Sequence, residues 1–184
     1  MASFAPLASA RLFLRPYAPT DAAELERNVS DWRVARYTTH IPHPYPAGAA
    51  PSFIADVNGE LAAGGGYTLA IVEQMGAAMV GAIRLDLDED DPAAGGIGYW
   101  IARSRWGRGY ATEAARRIVR FGFQDLGLAR IRSHVMPDNA ASRRVLEKAG
   151  LRVVGHGPVA APARGGAVVM AHLLLERAAW RPDG

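Results

Sequence analysis

The chain has 184 residues, 49% apolar and 21% charged, a balance that suits one globular domain with a full core. It has no cysteine, which excludes disulfides, thiolate metal ligands and a cysteine nucleophile, and no apolar run approaches the roughly 20 residues of a membrane span. The net charge of +3 comes from scattered arginines, with Lys148 the single lysine, so no basic block argues for a nucleic-acid partner. The N-terminal residues also lack the order of a signal peptide. The expectation is a cytoplasmic domain over 1–184, with no metal, membrane or nucleic-acid partner.

Residues Arg11–Arg15 alternate polar and apolar, the period of a half-buried strand. Thr20 and Asp21 then cap a helix to about Val29, with Glu24 near a capping-box position, and a short helix is expected over Asp31–Tyr37. Pro42, Pro44, Pro46 and Pro51 forbid a regular element over Ile41–Pro51, which reads as an ordered surface loop. A helix over about Ala50–Ala63 ends at Gly64, Gly65 and Gly66. Tyr67–Glu73 and Ala78–Asp88 form a hairpin around residues 74–77, and a charged connection leads to a strand at Ile97–Ala102.

A glycine-rich turn follows, then a helix over Ala111–Phe123 and a strand over Arg130–Met136. A helix over about Asn139–Ala149 comes next, then strands at Leu151–His156 and Ala167–Leu175. The order is α/β in content, but its middle is a meander of hairpins. That implies a mixed, largely antiparallel sheet of about seven strands rather than a doubly wound parallel one.

Two motifs carry chemistry. The first, Trp106–Ala114, reads W-G-R-G-Y-A-T-E-A and opens a helix, so backbone N–H groups collect at the positive end of the helix dipole. A P-loop would need Gly-Lys-Ser/Thr, which is absent, and the dinucleotide pattern fails because Thr112 replaces its third glycine. A third pattern, Q/R-x-x-G-x-G/A, is met at Gly109 and Ala111, with Trp106 in place of Gln or Arg. Small residues at 107, 109 and 111 let the backbone close around a pyrophosphate, although a plain strand-helix turn would use the same glycines. The second motif, Asn139-Ala140-Ala141-Ser142, puts an amide and a hydroxyl on one face of a helix's first turn. Asn139 also suits a bare N-cap.

Five segments in order resemble the GNAT N-acetyltransferases of the RimJ/RimL-like branch. They are Ser9–Pro16 followed by Thr20-Asp21; Ile41–Pro46; Ile97–Ile101; Trp106–Ala114; and Asn139-x-x-Ser142 running on to Glu147–Leu151. The resemblance implies transfer of an acetyl group from acetyl-CoA to an amine by direct attack in a ternary complex. It implies a fold with helices on both faces of the sheet and two neighbouring parallel strands, Ile97–Ala102 and Arg130–Met136, splayed apart. Backbone groups near Trp100 and Ile101 would hold the pantetheine arm. Gly107, Arg108, Gly109, Tyr110, Ala111 and Thr112 would hold the pyrophosphate, and Asn139 and Ser142 the thiol end, with Ser142 protonating the thiolate.

The resemblance also shows a departure. Many relatives carry a glutamate just before the Ile-Gly-Tyr-Trp segment, and here Gly95-Gly96 stands there. Asp86, Asp88 and His134 are the candidates to replace it as general base. His40, His43, Tyr45, Trp32 and Arg36 are candidates to border an acceptor cleft. The acceptor is a peptide or protein α-amine by branch resemblance, or else a polyamine, amino sugar or antibiotic. A non-catalytic acyl-CoA sensor on the same fold is the alternative, and a second copy of the chain is a candidate partner, because relatives are often homodimers.

Overall fold

Leu12 and Leu14 are fully buried while Phe13 between them is exposed, and this period of two drives Leu12–Arg15 into a strand, β2. The computed structural model describes residues 4–182 and pairs β2 antiparallel with Leu7–Ala8 (β1) and Gly66–Glu73 (β3). The remaining strands are Met79–Leu87 (β4), Ala94–Ile101 (β5), Arg130–Val135 (β6), Arg152–Ala161 (β7) and Gly166–Glu176 (β8). They form one eight-stranded sheet of order β1-β2-β3-β4-β5-β6-β8-β7, in which β5 and β6 are the parallel pair. The strand beyond the seven expected is β1, two residues long and too short to show a period.

Five α-helices flank the sheet: Ala22–Val29 (α1), Trp32–Ala35 (α2), Ala50–Ala63 (α3), Tyr110–Gln124 (α4) and Ala140–Lys148 (α5). Ala114, Ala115, Ile118 and Val119 of α4 and Leu146 of α5 pack on one face against Leu85, Ile97 and Ile131. Leu25 and Val29 of α1 pack on the other face with Ile54 and Val57 of α3, against Ala70, Val72 and Ala82. Helices therefore cover both faces. The α3 helix stops at Gly64, whose φ of 77° is the left-handed turn that glycine supplies.

Two strands run longer than their patterns suggest. β5 begins at Ala94 rather than Ile97, because Gly95 and Gly96 are part of the ladder. A Cβ on Gly95 would lie 2.9 Å from Leu85 and Leu128, so that glycine is a packing requirement. β7 continues through Pro158, which an edge strand tolerates because its outer N–H has no partner to lose. Among the described residues no helix is long and apolar enough to cross a membrane.

The parallel pairing of β5 with β6 is short. Its register runs Ala94 to Arg130, Gly95 to Ile131 and Gly96 to Arg132, and then the strands part. At the fork the buried hydroxyl of Ser133 donates to the Ile97 carbonyl at 2.8 Å, replacing a ladder bond.

Candidate active site

The loop after β5 is held from several sides. Trp106 donates from its indole N–H to the Ile101 carbonyl at 2.7 Å, and Arg103 stacks 4.7 Å from its ring. Trp106 thus anchors the loop to the strand end, which explains an aromatic in place of Gln or Arg. Gly107 and Gly109 have φ of 76° and 80°, and Gly109 is the cap of α4. Both positions need the left-handed region, where other side chains are strained.

Tyr110 is buried, and its hydroxyl donates to Glu73, which also pairs with Arg105 at 3.2 Å. Arg11 donates to the Arg108 carbonyl at 3.0 Å and to Glu113 at 2.7 Å. Burial works to raise the Glu113 carboxyl, but bonds from the Arg11 N–H, the Ser9 hydroxyl and the Arg11 guanidinium outweigh it and hold it below its ordinary value.

With the frame fixed, the N–H groups of residues 107–112 are left over. Among the described residues no carbonyl or side chain accepts from any of them, and the first bonded N–H of α4 is that of Glu113, to Gly109. Six successive free donors at the start of a fifteen-residue helix collect at the positive end of its dipole, the setting in which anions are bound. The side chain of Arg108 is exposed beside it.

Along β5 the period of two sorts the backbone as well as the side chains. Ile97 and Ile101 have carbonyls bonded from the side of the fork and the loop, whereas the Trp100 carbonyl lies toward Gly81 of β4. Trp100, expected to hold the arm through its backbone, therefore directs those groups into the β4 ladder. The edge groups facing the gap belong to Tyr99 and Ile101.

Behind the gap, the Tyr99 hydroxyl lies 2.8 Å from the Ser142 hydroxyl and 3.2 Å from the Ser142 carbonyl. Burial pushes the Tyr99 phenol up to about 12, partly offset by the bond to Ser142, so it keeps its proton at neutral pH. Asn139 caps α5, its side-chain oxygen accepting from the Ser142 N–H at 3.1 Å. The cap orients Ser142 and leaves the amide NH₂ of Asn139 as a donor. Tyr99 was not singled out from the sequence; its partner lies 43 residues away on another element.

On the opposite face, the candidate carboxylates are engaged. Asp86 pairs with Arg84, and Asp88 pairs with Arg132 at 2.8 Å. His134 is on the same face, its ring 4.8 Å from that of His172. The tip of the β7–β8 hairpin reaches the segment after α2: the Ala163 N–H donates to Thr39 at 3.1 Å and Arg164 to Thr38 at 3.0 Å. Trp32 sits between His43 and Arg164, with ring separations of 5.0 and 5.1 Å. Arg36 pairs with Asp138, beside the α5 cap. His40 bonds only its neighbour Thr39, and Tyr45 packs on the core below α1. Trp32, His43 and Arg164 thus form one cluster and Arg36 another contact beside α5, while Tyr45 is largely a packing residue.

Comparison with known proteins fits this geometry. The acetyltransferase (GNAT) domain pattern matches residues 11–152. Uncharacterized N-acetyltransferase p20 of Bacillus licheniformis is 28% identical over 145 residues, 79% of this chain and 81% of that one. In fold, the chain is similar to Mycobacterium smegmatis RimJ solved in complex with CoA-disulfide, at TM-score 0.77 and 24% identity, over 90% of this chain and 81% of that one. It is also similar to the microcin C7 self-immunity acetyltransferase MccE solved with acetyl-CoA and AMP, at TM-score 0.78 and 17% identity, over 91% and 93% of the two chains.

Proposed function

The chain belongs to the acetyltransferase (GNAT) domain family, and from that premise we propose that residues 1–184 form a single N-acetyltransferase domain of the RimJ/RimL-like branch. It transfers an acetyl group from acetyl-CoA to a primary amine by direct attack in a ternary complex. The observation that carries this reading is the run of unpartnered N–H groups at 107–112, set beyond a fork between parallel strands. The nest holds the pyrophosphate, and the edge of β5 at Tyr99 and Ile101 holds the arm as a missing strand would.

The residues divide the work. Positioning an amine against a thioester contributes several kcal/mol, about 7–11 in the best-oriented cases. An N–H aimed at the carbonyl oxygen adds about 10²–10³ in rate. The departing thiolate, with a pKa of about 8.5, needs little assistance, and the Tyr99–Ser142 pair supplies a proton to it, Ser142 giving and Tyr99 resupplying. The acceptor is a primary amine, and a peptide or protein α-amine is favoured by the resemblance to RimJ.

Release of free CoA from acetyl-CoA, measured across peptides with free N-termini, polyamines, amino sugars and antibiotics, tests this reading. Turnover on at least one amine is expected. Tight acetyl-CoA binding without turnover on any of them would instead make the chain an acyl-CoA sensor.

A further inference from the structure

Gly96 and Gly98 alternate with Ile97 and Tyr99, so they face away from α4, and a Cβ at either would meet no atom within 4 Å. Gly96, with Gly95 beside it, floors a cavity of about 500 Å³, walled by Asp86 of β4 and Asp88 just beyond it, Arg132 and His134 of β6, Val154 of β7 and His172 of β8. The carboxylates in it are engaged. Asp86 pairs with Arg84; Asp88 pairs with Arg132 at 2.8 Å and accepts from the N–H groups of Asp90 and Asp91 at 3.0 and 3.1 Å.

His134 stands two residues beyond Arg132, the register partner of Gly96, and so shares its face. Among the described residues its ring makes no hydrogen bond, and the side chain is half-buried, with one side reaching solvent. The ring of His172 meets it edge-on at 4.8 Å, and the Nε2 of His172 is buried without a partner beside Gly157, where a Cβ would lie only 3.2 Å away. The groups facing His134 are therefore arginine-paired carboxylates, Arg132 and a second imidazole.

We propose that the acceptor ammonium enters this cavity over Gly96 and gives its proton to His134. The step rests on the transferase reading above. One N–H bond of the ammonium breaks, its electron pair stays on nitrogen, and the proton moves to a ring nitrogen of His134. The freed pair forms the N–C bond to the acetyl carbon as the C–S bond breaks, and the sulfur leaves with the C–S pair. His134 passes the first proton to solvent and then takes the second N–H proton from the acylated nitrogen, while the thiolate takes one from the Tyr99–Ser142 pair, which solvent resupplies. Base and acid thus lie on opposite faces of one strand.

Burial, then His172 and Arg132, lowers His134 below its ordinary 6.5, so at neutral pH the ring is neutral and offers a lone pair. That base suits some amines and not others. Against an α-amine of pKa about 7.7–8.0 the transfer is unfavourable by at least about 15-fold, and against a lysine amine of about 10.4 by at least about 8,000-fold. A polyamine would also need unpaired carboxylates, and both aspartates here are paired. The class implied is an uncrowded amine of low pKa on an otherwise neutral chain.

The experiment compares wild type with His134→Ala by CoA release from about pH 6 to about pH 10, a range that passes the α-amine pKa of about 7.7–8.0 and approaches the lysine value of about 10.4. The acceptors are peptides with free N-termini and lysine-bearing peptides with blocked ones. The variant should lose about a hundredfold in kcat near neutral pH with unchanged acetyl-CoA affinity, which also shows that it is folded. The deficit should shrink as pH approaches the amine pKa, added imidazole should restore part of the rate, and wild type should prefer free N-termini. A deficit equal at every pH, or none, overturns the role of His134. Absence of wild-type turnover on every amine overturns the transferase reading, and this inference with it.

Discussion

The two faces of β5 solve different problems with neighbouring residues. On the face toward α4 and α5, side chains are buried and the loop beyond is locked by Trp106, Tyr110, Glu73 and Arg11, so recognition falls to backbone N–H groups. On the other face the strand carries Gly96 and Gly98, and Arg132 of β6 reaches Asp88 just beyond β4. On the proposed reading, the donor meets rigid backbone and the amine meets side chains at the surface. The adjacent glycines show the contrast in miniature: a Cβ on Gly95 would strike Leu85 and Leu128 at 2.9 Å, and one on Gly96 would touch nothing.

Breaking the donor face should have the largest effect. Gly109→Val forces a β-branched residue into φ of 80°, at about 1–3 kcal/mol of strain, and bends the N–H nest. Acetyl-CoA affinity by calorimetry should fall roughly a hundredfold or more, about 2.7 kcal/mol, while circular dichroism shows a folded protein. Undiminished affinity would remove the loop from the site.

The glycine pair gives the next largest contrast. Gly95→Ala should lower stability by about 1–3 kcal/mol through overpacking. Gly96→Ala should be neutral or up to about 1 kcal/mol stabilising, as alanine is less costly to order. Equal denaturation midpoints for the two would contradict the difference between the faces.

Tyr99→Phe keeps the ring and loses the hydroxyl bonded to Ser142. Turnover should drop about two- to tenfold, the worth of one hydrogen bond of about 0.5–1.5 kcal/mol, with acetyl-CoA affinity unchanged. Ser142→Ala should behave alike, and a rate equal to wild type in both would remove the pair from the chemistry.

The smallest effect concerns acid stability. Because Glu113 has its folded pKa depressed below 4.5, its contribution is present above that value and is lost as pH falls through the folded one. Glu113→Gln should be less stable than wild type at neutral pH, and the gap should close in acid. A gap independent of pH would mean that the carboxylate charge is immaterial.

What could be read from the sequence follows the same division. Gly107, Gly109 and the Asn139–Ser142 turn were legible because their chemistry lies in local backbone geometry, which a short pattern encodes. The fork was expected from the family resemblance alone, since no local pattern marks two strands as parallel neighbours. Tyr99 was missed although its alternation with Gly98 and Trp100 marks it as facing α5, since nothing local says that Ser142 will meet it. The ion pair that occupies Asp88 was also invisible, because Arg132 is 44 residues away and the two meet only through strand pairing. His172 had no signal beyond its place in a strand.

The contact between the hairpin tip and the segment after α2 has a bearing on how the molecule assembles. The two motifs of the proposed donor site, 107–112 and 139–142, lie within one stretch, β5 to α5, although Arg11 and Glu73 brace the loop from outside it. The Arg164 bond to Thr38, by contrast, closes over 126 residues of sequence. Loop-closure entropy makes such a contact late to form and dependent on everything between, so the span over the acceptor face is the last part of the chain to acquire its shape. Recognition on the proposed acceptor face thereby depends on the finished fold, whereas the N–H run at 107–112 is built by a local turn that Arg11 and Glu73 then brace.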